Sequence, residues 1–401
     1  MRFAAITLIL WAVAAPSYSS GLTRAKVPFL LDDNRIVISA AVSVDGRAKQ
    51  PIRAWVDTGN TDLWISAKLV KELGLKRLSP DADTPFGRLF SVQPPDEIEV
   101  SGMVLKIPKT INTVGFESPR IGLAVPADIN LPALLLGQAD VRIDYTKSEI
   151  ELNLDEPESH TGIKVPAQID KTMPLVLLPT VIDGVTYQVR LDTGSTYTFL
   201  EGAVLAPLTA THPAWPKLKG ALGAANMWGW PGEESTQIAR IPSLNVGSVR
   251  FEQVGVEPVP PDASQPVHPG STIGWLGGNV LKHGIVDIDY KSSLVYFDRS
   301  SYTDDDQFDT VGLTLKPTPD GQFLILGQAT VNGKPATAEI KPGDRLMDVD
   351  GLEITGMSMG MVVKALAGRI GDTKHLVLNR DGHPFTVDVL VRRFLADGPG
   401  L

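Results

Sequence analysis

Two short stretches constrain this chain more than anything else in it: Trp55-Val56-Asp57-Thr58-Gly59-Asn60 and Arg190-Leu191-Asp192-Thr193-Gly194-Ser195. Each places one carboxylate directly after an apolar run and directly before a Thr-Gly pair. The runs at 51–56 and 186–191 alternate as half-buried strands do. The glycine that follows permits a turn that other residues resist. Apolar strand starts come next, Leu63-Trp64-Ile65 and Tyr197-Thr198-Phe199-Leu200. A single Asp-Thr-Gly reads most simply as a surface turn. Two copies, each set between apolar strands, instead predict two carboxylates held on rigid backbone and facing one cleft.

The surroundings of the two stretches recur in order. Tight Asp-Gly turns precede them at Asp45-Gly46 and Asp183-Gly184. Leu135-Leu136-Gly137 follows Asp57 by 80 residues, and Trp275-Leu276-Gly277 follows Asp192 by 85, counting to the glycine each time. The triplets Ile143-Asp144-Tyr145 and Ile288-Asp289-Tyr290 are identical but for number. Recurrence in order argues for an internal duplication, with units at 26–155 and 172–298 and a polar bridge at 156–171. A helix is expected at 66–75, capped by Ser66 and ended near Gly74. The polar, Pro-containing stretch 77–96 is expected to be a mobile loop or flap.

Composition narrows the function. At 401 residues the chain is long enough for two or three domains. Its 37 basic and 46 acidic residues give a net charge of −9 with no basic block, which argues against nucleic acid as a partner. There is no Cys, so disulfides and thiol catalysis are excluded. The six His show no metal-ligand spacing, and no phosphate loop or dinucleotide fingerprint occurs; neither metal nor cofactor is expected. Residues 1–20 read as a signal peptide: Arg2, an apolar run at 3–15, then Ser17 and Ser19. That run is shorter than the roughly 20 residues a spanning helix needs. The expectation is a secreted or periplasmic protein with no stable membrane span after cleavage. Residues 299–310, with Asp304-Asp305-Asp306, read as a solvated linker, and 311–395 as a third domain.

Two carboxylates at one site cannot both ionise cheaply, so they share a proton. One can then act as general base on a water while the other, protonated, polarises a carbonyl. On the two Asp-Thr-Gly stretches, Asp62-Leu63-Trp64 and the two later apolar-apolar-Gly segments, residues 26–298 resemble the pepsin-like and retropepsin-like aspartic peptidases. The resemblance implies a mainly β, bilobal acid-protease β-barrel fold with a duplicated lobe, and peptide-bond hydrolysis by an activated water. Asp57 and Asp192 would be catalytic. Thr58, Gly59, Asn60, Thr193, Gly194 and Ser195 would support them, the two Thr by hydrogen bonds across the lobes. Polypeptides would be the substrates, and a monomer would suffice because both lobes lie in one chain.

Three departures from that family's pattern stand out. Asn60 replaces a small residue such as Ser. Gly137 to Tyr145 is 8 residues whereas Gly277 to Tyr290 is 13, which implies a first lobe lacking much of a short helix. No flap Tyr is evident, leaving Phe86 or Phe90 to close the site. Over the second lobe the candidate covering loop is 223–232, where Trp228 and Trp230 line pockets or fill core.

The last domain resembles a PDZ domain of the bacterial protease type, a β-sandwich with short helices. The carrying residues are Lys341-Pro342-Gly343-Asp344-Arg345-Leu346, Val349-Asp350-Gly351 and Asn379-Arg380-Asp381-Gly382. The resemblance implies that Gly312-Leu313-Thr314-Leu315 is a carboxylate-binding loop whose amides receive a peptide ligand, beside a groove flanked by a helix at 358–366. Such a groove would recruit substrate, or the domain would simply pack. Two rivals to the single-chain peptidase reading are a non-catalytic peptide-binding scaffold and a homodimer with one competent lobe.

Overall fold

The computed structural model describes residues 22–84, 87–117, 127–155, 159–220, 223–224, 236–259, 265–267, 271–304, 308–318, 320–330 and 333–395. These residues are mainly β. Alternation builds the longer strands: along Val176–Ile182 every second side chain is buried. The expected helix spans Ala67–Leu73, with Ser66 Oγ accepting from Leu69 N at 3.2 Å and Gly74 in the left-handed region at φ 66°.

One topology occurs twice. The strand Gln50–Asp57 runs parallel to Ile129–Pro132; Leu63–Ser66 runs antiparallel to Ile129–Pro132 and parallel to Thr113–Phe116. Further on, Val185–Leu191 runs parallel to Thr272–Leu276; Thr198–Glu201 runs antiparallel to Thr272–Leu276 and parallel to Val249–Val259. In each copy the strand before the Asp and the strand after it straddle a third that returns from far along the chain. That arrangement seats each Asp in a loop against the returning strand.

The register corrects the expectation of a shortened first copy. Pro132 lies opposite Asp57, and Leu276 opposite Leu191. Ala133 N donates to Asn60 O at 2.7 Å, as Gly278 N donates to Ser195 O at 2.8 Å. The counterpart of Gly277 is therefore Pro132, not Gly137. Counted from there, Tyr145 and Tyr290 each follow by 13 residues (145 − 132 and 290 − 277). Both copies carry the short helix, Ala133–Leu136 and Gly278–Leu281. Leu135-Leu136-Gly137 misleads because it ends a helix, with Gly137 in a right-handed helical conformation; Trp275-Leu276-Gly277 ends a strand.

The copies join at their repeated triplets. Asp140–Asp144 pairs antiparallel with Ile285–Asp289, Val141 opposite Ile288 and Ile143 opposite Val286. These are the central strands of a layer running Ile163–Pro166, Leu294–Phe297, Ile285–Asp289, Asp140–Asp144, Glu149–Asn153, Arg24–Asp32. One hydrophobic core reaches from Ala25 to Tyr302 through both copies. The stretch 156–171 thus contributes a sheet strand and is more than a bridge.

Two more expectations need correcting. Within 77–96, Ala82–Thr84 and Gly87–Ser91 form a hairpin continued onto Thr113–Phe116, so this stretch is sheet rather than loop, a form compatible with the flap alternative. The linker at 299–310 is built into both neighbours. Ser301–Thr303 runs parallel to Val249–Val259, and Asp309–Thr310 pairs with Arg392–Arg393. Asp304 is buried, accepting from Gly255 N at 3.0 Å and Asn279 Nδ2 at 2.7 Å; amides inside the fold hold this carboxylate, which the acidic run had suggested was solvated. Asp305 and Asp306 lie outside the described residues.

Beyond it, Leu313–Pro317, Phe323–Gln328, Arg345–Val349, Thr373–Arg380 and His383–Leu390 form a sheet with the helix Met359–Leu366. Their core, from Val311 to Val391, is separate from the larger one. Residues 1–20, with the expected signal peptide, lie outside the described residues. Among the described residues no helix is long and apolar enough to cross a membrane.

Candidate active site

The two Asp-Thr-Gly loops meet back to back. Thr58 N donates to Thr193 Oγ1 at 3.2 Å, and Thr193 N donates to Thr58 Oγ1 at 3.0 Å. Each hydroxyl then donates into the strand of the other copy, Thr58 Oγ1 to Leu191 O at 3.0 Å and Thr193 Oγ1 to Val56 O at 2.9 Å. Four buried bonds lock the loops in a pseudo-twofold cross.

The glycines serve this contact. Neither Gly59 nor Gly194 has a positive φ, so the turn does not require them, contrary to the expectation from the turn alone. A Cβ on Gly59 would collide with the Asp192 carboxyl group, and one on Gly194 would lie 2.5 Å from Asp57 Oδ1. Each carboxylate rests against the other loop's glycine, so a side chain at either position would force the aspartates apart.

Burial sets the charge state. Asp57 is fully buried and Asp192 is 4% exposed. Desolvation drives the Asp57 carboxyl far above the usual carboxylate range, and the neighbouring Asp192 raises it more. Hydrogen bonds from Asn130, Gly59 and Asn60 offset part of that rise. Burial also raises Asp192, but by less, because the Arg190 guanidinium and the amides of Gly194 and Ser195 favour its ionised form; Gly194 N reaches Asp192 Oδ1 at 2.9 Å. Two such groups hold one proton between them. The Arg190 guanidinium favours the ionised form at Asp192, whereas hydrogen bonds alone offset the rise at Asp57. Asp57 Oδ1 has no hydrogen-bond partner among the described residues.

Sequence reasoning missed Asn130 and Arg190. Asn130 Nδ2 donates to Asp57 Oδ2 at 3.2 Å and to Asp62 O at 3.0 Å, while its Oδ1 accepts from Trp64 N at 2.7 Å. Its signal was an amide inside Ile129–Pro132, a strand buried at all four positions. Arg190 Nη1 donates to Gly59 O at 2.9 Å, tying the second strand to the first loop. Its signal was a charge two residues before Asp192, where the first copy has Trp55. Tyr145 and Tyr290 also went unassigned. Both are buried, and neither hydroxyl has a partner among the described residues. Burial raises each hydroxyl, and the far Asp of the pair, Asp192 for Tyr145 and Asp57 for Tyr290, adds to the rise.

The remaining expected residues divide. Asn60 fits: its carbonyl holds Ala133 N, and its Oδ1 accepts from Asp62 N at 3.0 Å. Ser195 Oγ donates to Tyr197 O at 2.7 Å and accepts from Trp275 Nε1 at 2.8 Å. Phe90 does not close the site. It is core, with the Arg77 guanidinium 3.7 Å from its ring centroid and Gly115 against its edge. Phe86, Trp228 and Trp230 lie outside the described residues. Gly223–Ala224, the start of the expected covering loop, forms a strand on the C-terminal sheet. Gly312 O accepts from Ala329 N at 2.7 Å, and Leu313, Thr314 and Leu315 are buried on that sheet. Beside them a cavity of about 620 Å³, whose lining includes neither aspartate, is lined by Leu313, Met361, Leu366, Leu30, Leu31 and Phe308, among others.

No family model matches the chain. A 63-residue stretch is 38% identical to a "Putative zinc metalloprotease" of Mesorhizobium japonicum. The match covers 16% of this chain and 17% of that protein. It links a short part of the chain to a protein named as a protease.

Proposed function

We propose that the protein is an aspartic-type endopeptidase. The observation that carries this reading is the pair of buried carboxylates, Asp57 and Asp192, each seated against the glycine of the other's loop. In the proposed mechanism ionised Asp192 takes a proton from a water bound between the pair, and that water attacks the scissile carbonyl carbon. Protonated Asp57 donates to the carbonyl oxygen as charge builds there. The tetrahedral intermediate collapses when the leaving nitrogen receives the proton that Asp192 took. Arg190 holds Asp192 in its basic form at the start, and the Thr58–Thr193 cross fixes the spacing.

The protease in the matched relative's name is consistent with peptide hydrolysis. The zinc in that name finds no fit here: among the described residues no three His, Asp or Glu side chains form a group that could hold a metal ion. We read 26–155 and 172–298 as the two lobes of an acid-protease fold and 311–395 as a PDZ domain. Gly312-Leu313-Thr314-Leu315 would take a peptide end there and recruit polypeptide substrates. Residues 1–20 would export the chain to the periplasm or medium, where a monomer would work alone.

Asp57→Asn and Asp192→Asn, each compared with wild type on casein, test the reading. Each variant should lose at least 1,000-fold in kcat, in keeping with the deletion of one member of a catalytic unit. A pepstatin-type inhibitor should bind wild type and neither variant. Substantial proteolysis by either single variant would sink the shared-proton mechanism, and a wild type that neither cleaves casein nor binds the inhibitor would favour the scaffold reading.

A further inference from the structure

The C-terminal sheet ends on a strand that belongs to another part of the chain. Leu313–Pro317 has Phe323–Gln328 on one side. On its other side lies Gly223–Ala224, parallel, with Gly223 opposite Thr314 and Ala224 opposite Leu315. Gly223–Ala224 also touches the helix Met359–Leu366. It therefore lies along the slot between sheet edge and helix, where an extended peptide would add as a further strand.

The segment is anchored at its other end in the body of the protein. Lys217–Lys219 pairs antiparallel with Gln237–Val246. Lys219 O accepts from Thr330 N at 3.2 Å, and Leu218 and Ile238 are buried with Phe308, Ala329, Phe394 and Leu395. A stitch thus runs from the second lobe, over this shared cluster, onto the edge of Leu313–Pro317. What remains open next to it is apolar: Leu30 is 56% and Met361 51% exposed at the mouth of the 620 Å³ cavity.

We propose that the peptide groove of the C-terminal domain is occupied in cis by Gly223–Ala224, so that the domain accepts a peptide strand only when this segment leaves. The proposal deepens the reading of 311–395 as a peptide-recruiting domain. Tethering gives the segment a high effective concentration, yet it pairs over two residues where a ligand could pair over the five of Leu313–Pro317. A longer peptide can therefore displace it, with an apparent affinity reduced by the closed fraction. Recruitment at this groove then also releases one stitch between the domain and the second lobe.

The chain has no Cys, which makes a reversible lock clean. Gly223→Cys with Thr314→Cys places two thiols at opposed positions of neighbouring strands, within disulfide reach. The probe is a fluorescent pool of hexapeptides with an apolar C-terminal residue and a free carboxylate, read by anisotropy against the full chain carrying Asp57→Asn. Mild oxidation should form the disulfide in the folded protein and weaken peptide binding at least tenfold, and dithiothreitol should restore it. Failure of the folded protein to form the disulfide overturns the proposal, as does equal binding in both states, whether strong or absent. Hydrogen exchange on the unmodified chain gives a second reading that survives if the double variant misfolds. Of the Thr314 and Leu315 amides, the one facing Gly223–Ala224 should be protected; its rapid exchange overturns the proposal. Neither readout depends on catalysis, so failure here is separate from failure of the peptidase reading.

Discussion

At the level of single residues, the two aspartates differ through their neighbours. Asp57 has an amide, Asn130, and no cation; Asp192 has Arg190. Removing that positive charge with Arg190→Gln should lift the Asp192 titration. The acid limb of the proteolysis profile, which reports the ionised form, should then move up by about one pH unit. A profile unchanged in position would show that Arg190 only ties Gly59. The raised carboxyls also predict a stability effect whose sign is set by linkage. Both titrate higher folded than unfolded, so above the ordinary carboxylate range the native state binds more protons, and stability falls as pH rises through that window. Asp57→Asn removes the effect and keeps the shape. Its Tm should exceed that of wild type at pH 7, by about 2–4 °C for each kcal/mol relieved, and the difference should vanish near pH 3. A variant less stable than wild type at both pH values would contradict the buried, proton-sharing pair.

At the scale of the element, Asn130 does what a longer loop would otherwise have to do. Its one side chain spans the strand before the turn and the strand after it, reaching Asp57, Asp62 and Trp64 together. Asn130→Leu keeps the volume and strips all three bonds. Leaving the half-buried Trp64 N unpaired should cost about 1 kcal/mol in urea unfolding, and the pH dependence of that loss should follow Asp57. The sequence made the strands that flank each Asp legible, because they alternate and end in Asp-Thr-Gly. The Thr cross was expected only through the resemblance to the aspartic peptidases, not from the repeated pattern itself. Asn130 escaped because its partners lie 66 to 73 residues away, a pairing no local pattern encodes. Leu135-Leu136-Gly137 was misjudged for the opposite reason. As a local pattern it matched Trp275-Leu276-Gly277, but only the register of Ile129–Pro132 shows that it lies one short helix too far along.

At the scale of the whole molecule, one turn connects three parts of the chain. Asp33 and Asn34 join Arg24–Asp32 to Arg35–Ser43 in the first copy. Asn34 Nδ2 donates to Thr196 O at 3.2 Å, immediately past the Asp192 loop, and Asn34 Oδ1 accepts from Lys282 Nζ at 3.1 Å. The same turn presses on the C-terminal helix Met359–Leu366, where a Cβ on Gly360 would lie 2.6 Å from Asp33 N and 2.7 Å from Asp32 Oδ1. Gly360→Ala therefore sets two effects against each other. Helix propensity alone favours Ala over Gly by about 1 kcal/mol, which would raise the stability of the C-terminal domain. The contact argues the reverse: Asp33 N is backbone and the turn is held from both sides, so the helix must move away. We expect the contact to win. Calorimetry should show the variant unfolding in two steps, with the first below the wild-type transition, and scattering should show a larger radius of gyration. Cleavage of short peptides should persist, because Asp57 and Asp192 are set by strands this helix does not touch. A single transition at or above the wild-type temperature would mean that the domain and the body are not coupled through this turn.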